Sequence, residues 1–146
     1  WRLVKDIAAA AVLLTTVGRR VFLTVGASEV AAFSDLGDLY FLIRVIETPE
    51  TVSAFVDYDI VSTRGPFTKA GDVRLMKDHR IDVVVSKNSG GDATVAKLDA
   101  ARALGIPAIM IDRPPCDLGR AEKTGRDRVE TVQQALGWLK QVAGLE

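Results

Sequence analysis

Cysteine and histidine are almost missing from this sequence, which carries Cys116 and His79 as its one copy of each. A lone cysteine closes no internal disulfide, and the pair falls short of the ligand set of a structural zinc site. A reducing, cytoplasmic setting is the expectation that follows. Excess charge is missing too: 19 basic and 19 acidic residues cancel, leaving no positive surplus to neutralise the phosphates of a nucleic acid. Long hydrophobic runs are also lacking. The longest, Ile7 to Leu14, is about eight residues against the roughly 20 of a membrane span, so neither a nucleic acid nor a membrane is expected as a partner. No G-x-G-x-x-G or G-x-x-x-x-G-K-[ST] pattern occurs, which removes the common dinucleotide and Walker fingerprints. There is no internal repeat, low-complexity tract or interdomain linker. Trp1 runs straight into a helical pattern without an initiator methionine or a cleavable signal, and the chain is expected to be a piece of a longer protein.

What is present is apolar material: 48% of 146 residues, enough for the core of one ordinary domain spanning residues 1–146. Val4 to Val17 is rich in alanine and leucine and predicts a buried helix stopped at Gly18. Val21 to Val25 is β-branched and aromatic, as a strand covered on both faces should be. A short helix capped by Ser28 follows, with Glu29 in its first turn. Leu39 to Ile46, Tyr58 to Arg64, Ile81 to Ser86 and Pro107 to Asp112 read as further strands. Helices are expected over Thr68 to Arg80, from Asp92 or Thr94 through Ala103, and over Arg126 to Val142. The Glu47 to Asp57 segment is too short and polar for a crossover helix. Such alternation of apolar strands and helices predicts an α/β fold, a doubly wound, mostly parallel sheet of about five strands flanked by helices.

Sheets of this kind bind ligands beyond the carboxyl ends of their strands, where turn amides and helix N-termini face anions. The strand-end loops here are TVGAS, STRGPF, SKNSGG and DRPP. In SKNSGG, Gly90 and Gly91 let backbone approach a ligand, Asn88 and Ser89 offer hydrogen bonds, and Lys87 brings positive charge. The plain alternative is a turn with Asp92 capping the next helix. STRGPF combines Arg64, which can fork onto a carboxylate, with a Gly65, Pro66 turn and Phe67, an aromatic able to cover a flat ligand. The competing reading is a tight turn before a helix. Arg113 reads as a surface arginine at a strand end, Lys97 as a helix-surface lysine and His79 as a solvated helix end. No catalytic triad can be assembled.

The runs RVFLTVG, FLIRVI, STRGPF, RIDVVVSKNSGG and AKLDAARALGIPAIMIDRP together resemble the carboxyl-terminal half of the precorrin-6A reductases of cobalamin biosynthesis, over nearly the whole chain. The resemblance implies a Rossmann-like domain and an NADPH-dependent oxidoreductase that saturates one double bond of a polycarboxylate tetrapyrrole. It implies two such halves with the site between them, this chain lacking the amino-terminal one and being inactive alone. It also implies that Arg64, Gly65, Pro66, Phe67, Lys87, Asn88, Ser89, Gly90 and Gly91, with Lys97 and Arg113 as further members, bind cofactor or substrate, without dividing them between the two. Hydride would come from the cofactor, so the lack of a nucleophile or a metal site is no objection. The alternative from another class is a non-catalytic domain of the same fold that binds an anionic ligand or regulates.

Overall fold

The computed structural model describes residues 1–89, 92–112 and 132–143. The chain divides into two compact units, Trp1–Pro114 and Pro115–Glu146. In the first, six strands form one sheet: β1 (Arg2–Val4), β2 (Arg20–Thr24), β3 (Tyr40–Val45), β4 (Asp57–Ser62), β5 (Val83–Lys87) and β6 (Ala108–Ile111). Their order across the sheet is β1-β6-β5-β2-β3-β4, and every pairing is parallel. Helices α1 (Ile7–Val17), α2 (Lys69–Asp78) and α3 (Asp92–Leu104) accompany them. Short 3-10 turns span Ala27–Phe33 and Glu50–Ala54. The described part of the second unit is helix α4 (Val132–Ala143), on which Val132 and Leu136 are exposed. Among the described residues no helix is long and apolar enough to cross a membrane.

Both faces of the sheet are covered, because side chains alternate along each strand. Val21, Leu23, Phe41, Ile43, Val83, Val85 and Ile109 point to one side. There they pack with Ala10 and Leu14 of α1 and with Val30, Phe33, Val52 and Phe55 of the two 3-10 turns. The rings of Phe41 and Phe55 meet edge to face, 5.0 Å between centroids. Phe22, Leu42, Val84, Ala108 and Met110 point to the other side, against Met76 of α2 and Leu98, Ala100 and Ala101 of α3. A strand sandwiched in this way is apolar where it is covered, which explains the runs Val83–Val85 in β5 and Ala108–Ile111 in β6.

Three local departures from the sequence reading have physical reasons. The sheet has six strands where about five were expected; the sixth, β1, is a three-residue edge segment paired only with β6, and its exposed residues leave no buried pattern to read. Consequently α1 starts at Ile7 rather than Val4, where the Asp6 carboxylate accepts the Ala9 N–H at 2.8 Å and caps the helix. The expected helix at Ser28 is a 3-10 turn, a tighter winding suited to short segments.

The topology places the site. From β2 the chain steps outward through β3 to β4, then crosses back so that β5 pairs with the other side of β2. Thr24 lies opposite Ser86, so β2 and β5 finish level with each other at the point where the winding reverses. Below, at the amino ends of the same strands, the Asp82 carboxylate accepts the backbone N–H groups of Arg19 and Arg20 at 2.9 to 3.0 Å. Gly18 makes this junction possible: a methyl group there would come to 2.5 Å from Asp82 Oδ1 and 2.6 Å from Val83 Cγ1. Gly18→Ala is therefore expected to destabilise the fold by about 1–3 kcal/mol through overpacking, read as a lowered midpoint of urea unfolding.

Candidate functional site

At the carboxyl ends of β2, β3 and β4 the strands open onto a cavity of about 460 Å³. Thr24 to Ala27 form one wall, Arg44 to Glu47 a second, and Thr63 with Phe67 a third, while Lys97 of α3 closes it from the side. Most of this lining is apolar, and the polar groups are few and placed, as in ligand pockets generally.

Arg44 is the fixed point of the cavity. It stands on β3 at a position that points to the α2 and α3 side, and it is 7% exposed. Its guanidinium lies 4.0 Å from the Phe67 ring centroid and 4.7 Å from that of Phe22, stacked as arginine allows. Two hydrogen bonds run from it to Asp72, Nη1 to Oδ1 at 2.6 Å and Nη2 to Oδ2 at 3.3 Å. Asp72 occupies the first turn of α2, where the helix dipole favours a carboxylate, and is 3% exposed. Thr68 caps that helix by accepting the Gly71 N–H at 3.1 Å. The loop from β4 to α2, containing a cis Gly65–Pro66 peptide, brings Phe67 over the arginine.

Lys97 is 8% exposed, so the expectation of a helix-surface lysine is corrected. Thr94, Lys97, Leu98 and Ala101 are all buried; their spacing of three and four residues forms the stripe by which α3 packs on the sheet. Burial, and after it the Arg44 charge, push the Lys97 ammonium down to about 8, with Asp72 partly offsetting both. No hydrogen bond or ion pair joins it to another described residue.

Of the residues singled out by sequence, Phe67 and Lys97 meet in this cavity. Arg64 is exposed on the adjoining loop, beside Thr63. Gly65 and Pro66 are exposed there too and shape the turn. Lys87, Asn88 and Ser89 stand at the end of β5, next to the end of β2 but outside the lining. Lys87 Nζ is 2.7 Å from Glu29 Oε1, and Glu29 Oε2 accepts the Gly26 N–H at 3.1 Å. The Asn88 N–H donates to the Ile111 carbonyl at 2.8 Å, and Ser89 shares a hydroxyl hydrogen bond of 2.9 Å with Thr94. Gly90, Gly91, Arg113 and Cys116 lie outside the described residues. Sequence reasoning missed Arg44 and Asp72. The available signal was a charged residue inside the apolar run LYFLIRVI, which on a doubly covered strand demands a buried partner.

His79 is not a solvated helix end. Its Nδ1 lies 2.6 Å from the Tyr40 hydroxyl, which also donates to Asp59 at 2.8 Å. Burial and the Asp59 carboxylate hold the Tyr40 phenol well above its ordinary value. Tyr40 begins β3, so this cluster sits at the opposite end of the strand from the cavity. Among the described residues no group of His, Cys, Asp and Glu is arranged to hold a metal ion.

Two stability measurements test this electrostatic picture. Asp72→Ala leaves Arg44 buried and unpaired and is expected to cost about 3–5 kcal/mol, most of it recovered when Arg44→Met is combined with Asp72→Leu; urea unfolding of the three forms checks both. Lys97 titrates near 8 in the fold and at its ordinary 10.5 when unfolded, so below pH 8 its charge works against folding, and the cost fades as pH rises between the two values. Lys97→Met is expected to raise stability by roughly 1–3 kcal/mol near neutral pH, the gain disappearing above pH 10.5.

Comparison with known proteins places the chain. The precorrin-6x reductase CbiJ/CobK family matches residues 1–140. Over 139 residues the chain is 50% identical to a precorrin-6A reductase of Rhodococcus erythropolis, covering 95% of this chain and 53% of that protein. The precorrin-6A reductase of Mycobacterium tuberculosis is 44% identical over 142 residues, covering 97% and 54%. A solved structure of CobK precorrin-6A reductase, 39% identical, superimposes with a TM-score of 0.79 over 97% of this chain and 55% of its own. The chain thus spans about half the length of the relatives it matches. With its sheet, its cavity and these likenesses in agreement, the chain belongs to the precorrin-6x reductase CbiJ/CobK family.

Proposed function

We propose that this chain is the carboxyl-terminal, Rossmann-like half of an NADPH-dependent precorrin-6A reductase, which saturates one double bond of a polycarboxylate tetrapyrrole in cobalamin biosynthesis. The observation that carries the reading is the cavity at the winding reversal, with a buried lysine that no described residue hydrogen-bonds and an aromatic ring over a fixed arginine. The named function of the relatives, precorrin-6A reductase, supports it. A cytoplasmic enzyme that works only when joined to its amino-terminal half is part of the same reading.

The residues suit the two ligands. A macrocycle carrying carboxylates needs apolar surface and cations at the rim; Phe67, Val25 and Ile46 offer the first in the lining, and Arg64 after β4 and Lys87 at the end of β5 offer the second. Arg113 is a further binding residue by the family resemblance alone. The reduced nicotinamide dinucleotide supplies hydride when bound. Its diphosphate would not take the turn after β2, because the Glu29 carboxylate already accepts the Gly26 N–H and pairs with Lys87. The segment leading into α3, with Asn88, Ser89, Gly90 and Gly91, is where this chain would hold a phosphate, at the amino end of a 13-residue helix. Lys97, one turn further along α3, then faces the ring-sized space beside Phe67.

In the intact protein, NADPH is expected to be oxidised only when the tetrapyrrole is present. The combined Arg64→Ala and Lys87→Ala changes should raise KM for one of the two ligands by about tenfold or more, equivalent to roughly 1.4 kcal/mol. NADPH consumption that ignores the tetrapyrrole, or tight tetrapyrrole binding with no reduction, would instead favour a non-catalytic anion-binding domain.

A further inference from the structure

We propose that Lys97 is the general acid of the reduction, its Nζ delivering a proton to the macrocycle inside the cavity, and that Arg44 with Asp72 is the positioning pair that holds it there. The inference rests on the reductase reading above and goes beyond it by assigning the source of the proton. Saturating a double bond adds two hydrogens. One arrives as hydride, with two electrons, from the reduced nicotinamide. The other must arrive as a proton at the neighbouring atom. In this step an N–H bond of Lys97 breaks and a bond from hydrogen to the macrocycle forms. The macrocycle is reduced, the nicotinamide oxidised, and the neutral amine left on Lys97 then takes a proton from water at the cavity mouth.

Elimination among the lining groups leads to Lys97. Thr24 donates its hydroxyl hydrogen to the Val85 carbonyl at 2.8 Å. Thr63 points its own at the Arg64 carbonyl. Arg44 is forked onto Asp72 and, as a guanidinium, does not release protons at physiological pH. Glu47 is exposed at the mouth. Lys97 makes no hydrogen bond to a described residue and stands at the wall of a largely apolar space. The groups facing it are Arg44 from β3 and Asp72 from α2, with opposite effects on its charge. A lysine brought to about 8 is mostly protonated near neutrality and still gives its proton up readily. Arg44 is held by Asp72 and lies against the Phe22 and Phe67 rings, so the charge that sets this balance stays in place.

The test uses the intact protein with NADPH and the tetrapyrrole under single-turnover conditions, alongside Lys97→Arg and Lys97→Met. Arginine keeps the charge and gives up no proton; methionine keeps the shape. Both variants are expected to lower the reduction rate by about 10²–10⁴-fold while the tetrapyrrole Kd, read from its absorption change, moves less than about threefold. In the unaltered protein the rate should fall as pH rises through about 8, and Asp72→Asn should move that limb to lower pH, which a merely structural aspartate would not do. A second readout needs no turnover: the Lys97 amine resonance, followed by NMR in the ligand-free protein, should titrate near 8 and at a higher pH in Arg44→Met. Near-normal rates in either folded variant overturn the assignment, as does a loss confined to tetrapyrrole binding, which would make Lys97 an anchor. If both variants unfold, a Lys97 resonance titrating at the ordinary lysine value overturns it in the unaltered protein. Failure of the unaltered protein to reduce the tetrapyrrole removes the reductase reading and this inference together, whereas normal reduction beside active Lys97 variants removes this inference alone.

Discussion

A parallel sheet covered on both faces leaves only its strand ends for chemistry. A polar group placed further in is stabilised by bringing its own partner, since desolvated charge without one is costly. Arg44 stands further in and brings three partners: Asp72 for its charge and the rings of Phe22 and Phe67, centred 4.7 and 4.0 Å from its guanidinium carbon. The pair does not owe its place to stability, because an apolar pair of similar volume would serve the core at least as well. Its effect is to set a permanent charge at the floor of the cavity in one orientation, with β3 holding one end and α2 the other.

Lys97 shows what that fixed charge does to its surroundings. A buried ammonium is already disfavoured by the loss of water, and a neighbouring guanidinium adds repulsion that Asp72 only partly relieves. Two cations and one carboxylate share a small, largely apolar volume. Such a site is short of negative charge.

Much of the fold was legible in the residues. The apolar runs Tyr40–Ile43 of β3 and Val83–Val85 of β5 read as strands covered on both sides, and Gly18 marked the end of α1 where the chain must turn tightly against Asp82. The edge strand β1 was not legible, because three half-exposed residues beside a strong helical pattern carry no period of their own. The site was legible in part. Phe67 and Lys97 were picked out, yet Lys97 was placed on the surface, since a lysine on a helix is normally exposed and only packing reveals which stripe faces the sheet. Arg44 and Asp72 are 28 residues apart, and no local pattern joins a strand arginine to the first turn of a distant helix. Reading them as a pair needs the topology that sets β3 against α2.

The turn after β2 carries a consequence of a different kind. Glu29 grips both the Gly26 amide and the Lys87 ammonium, so this corner of the winding reversal comes with a carboxylate tethered in place at a high local concentration. An anion from solution reaches either group only by exchange. Single charges that arrive alone compete poorly against a resident that gives up little freedom by staying, while a ligand anchored elsewhere can displace it. The corner is thereby neutralised from within, its amide and its ammonium answered by a single carboxylate.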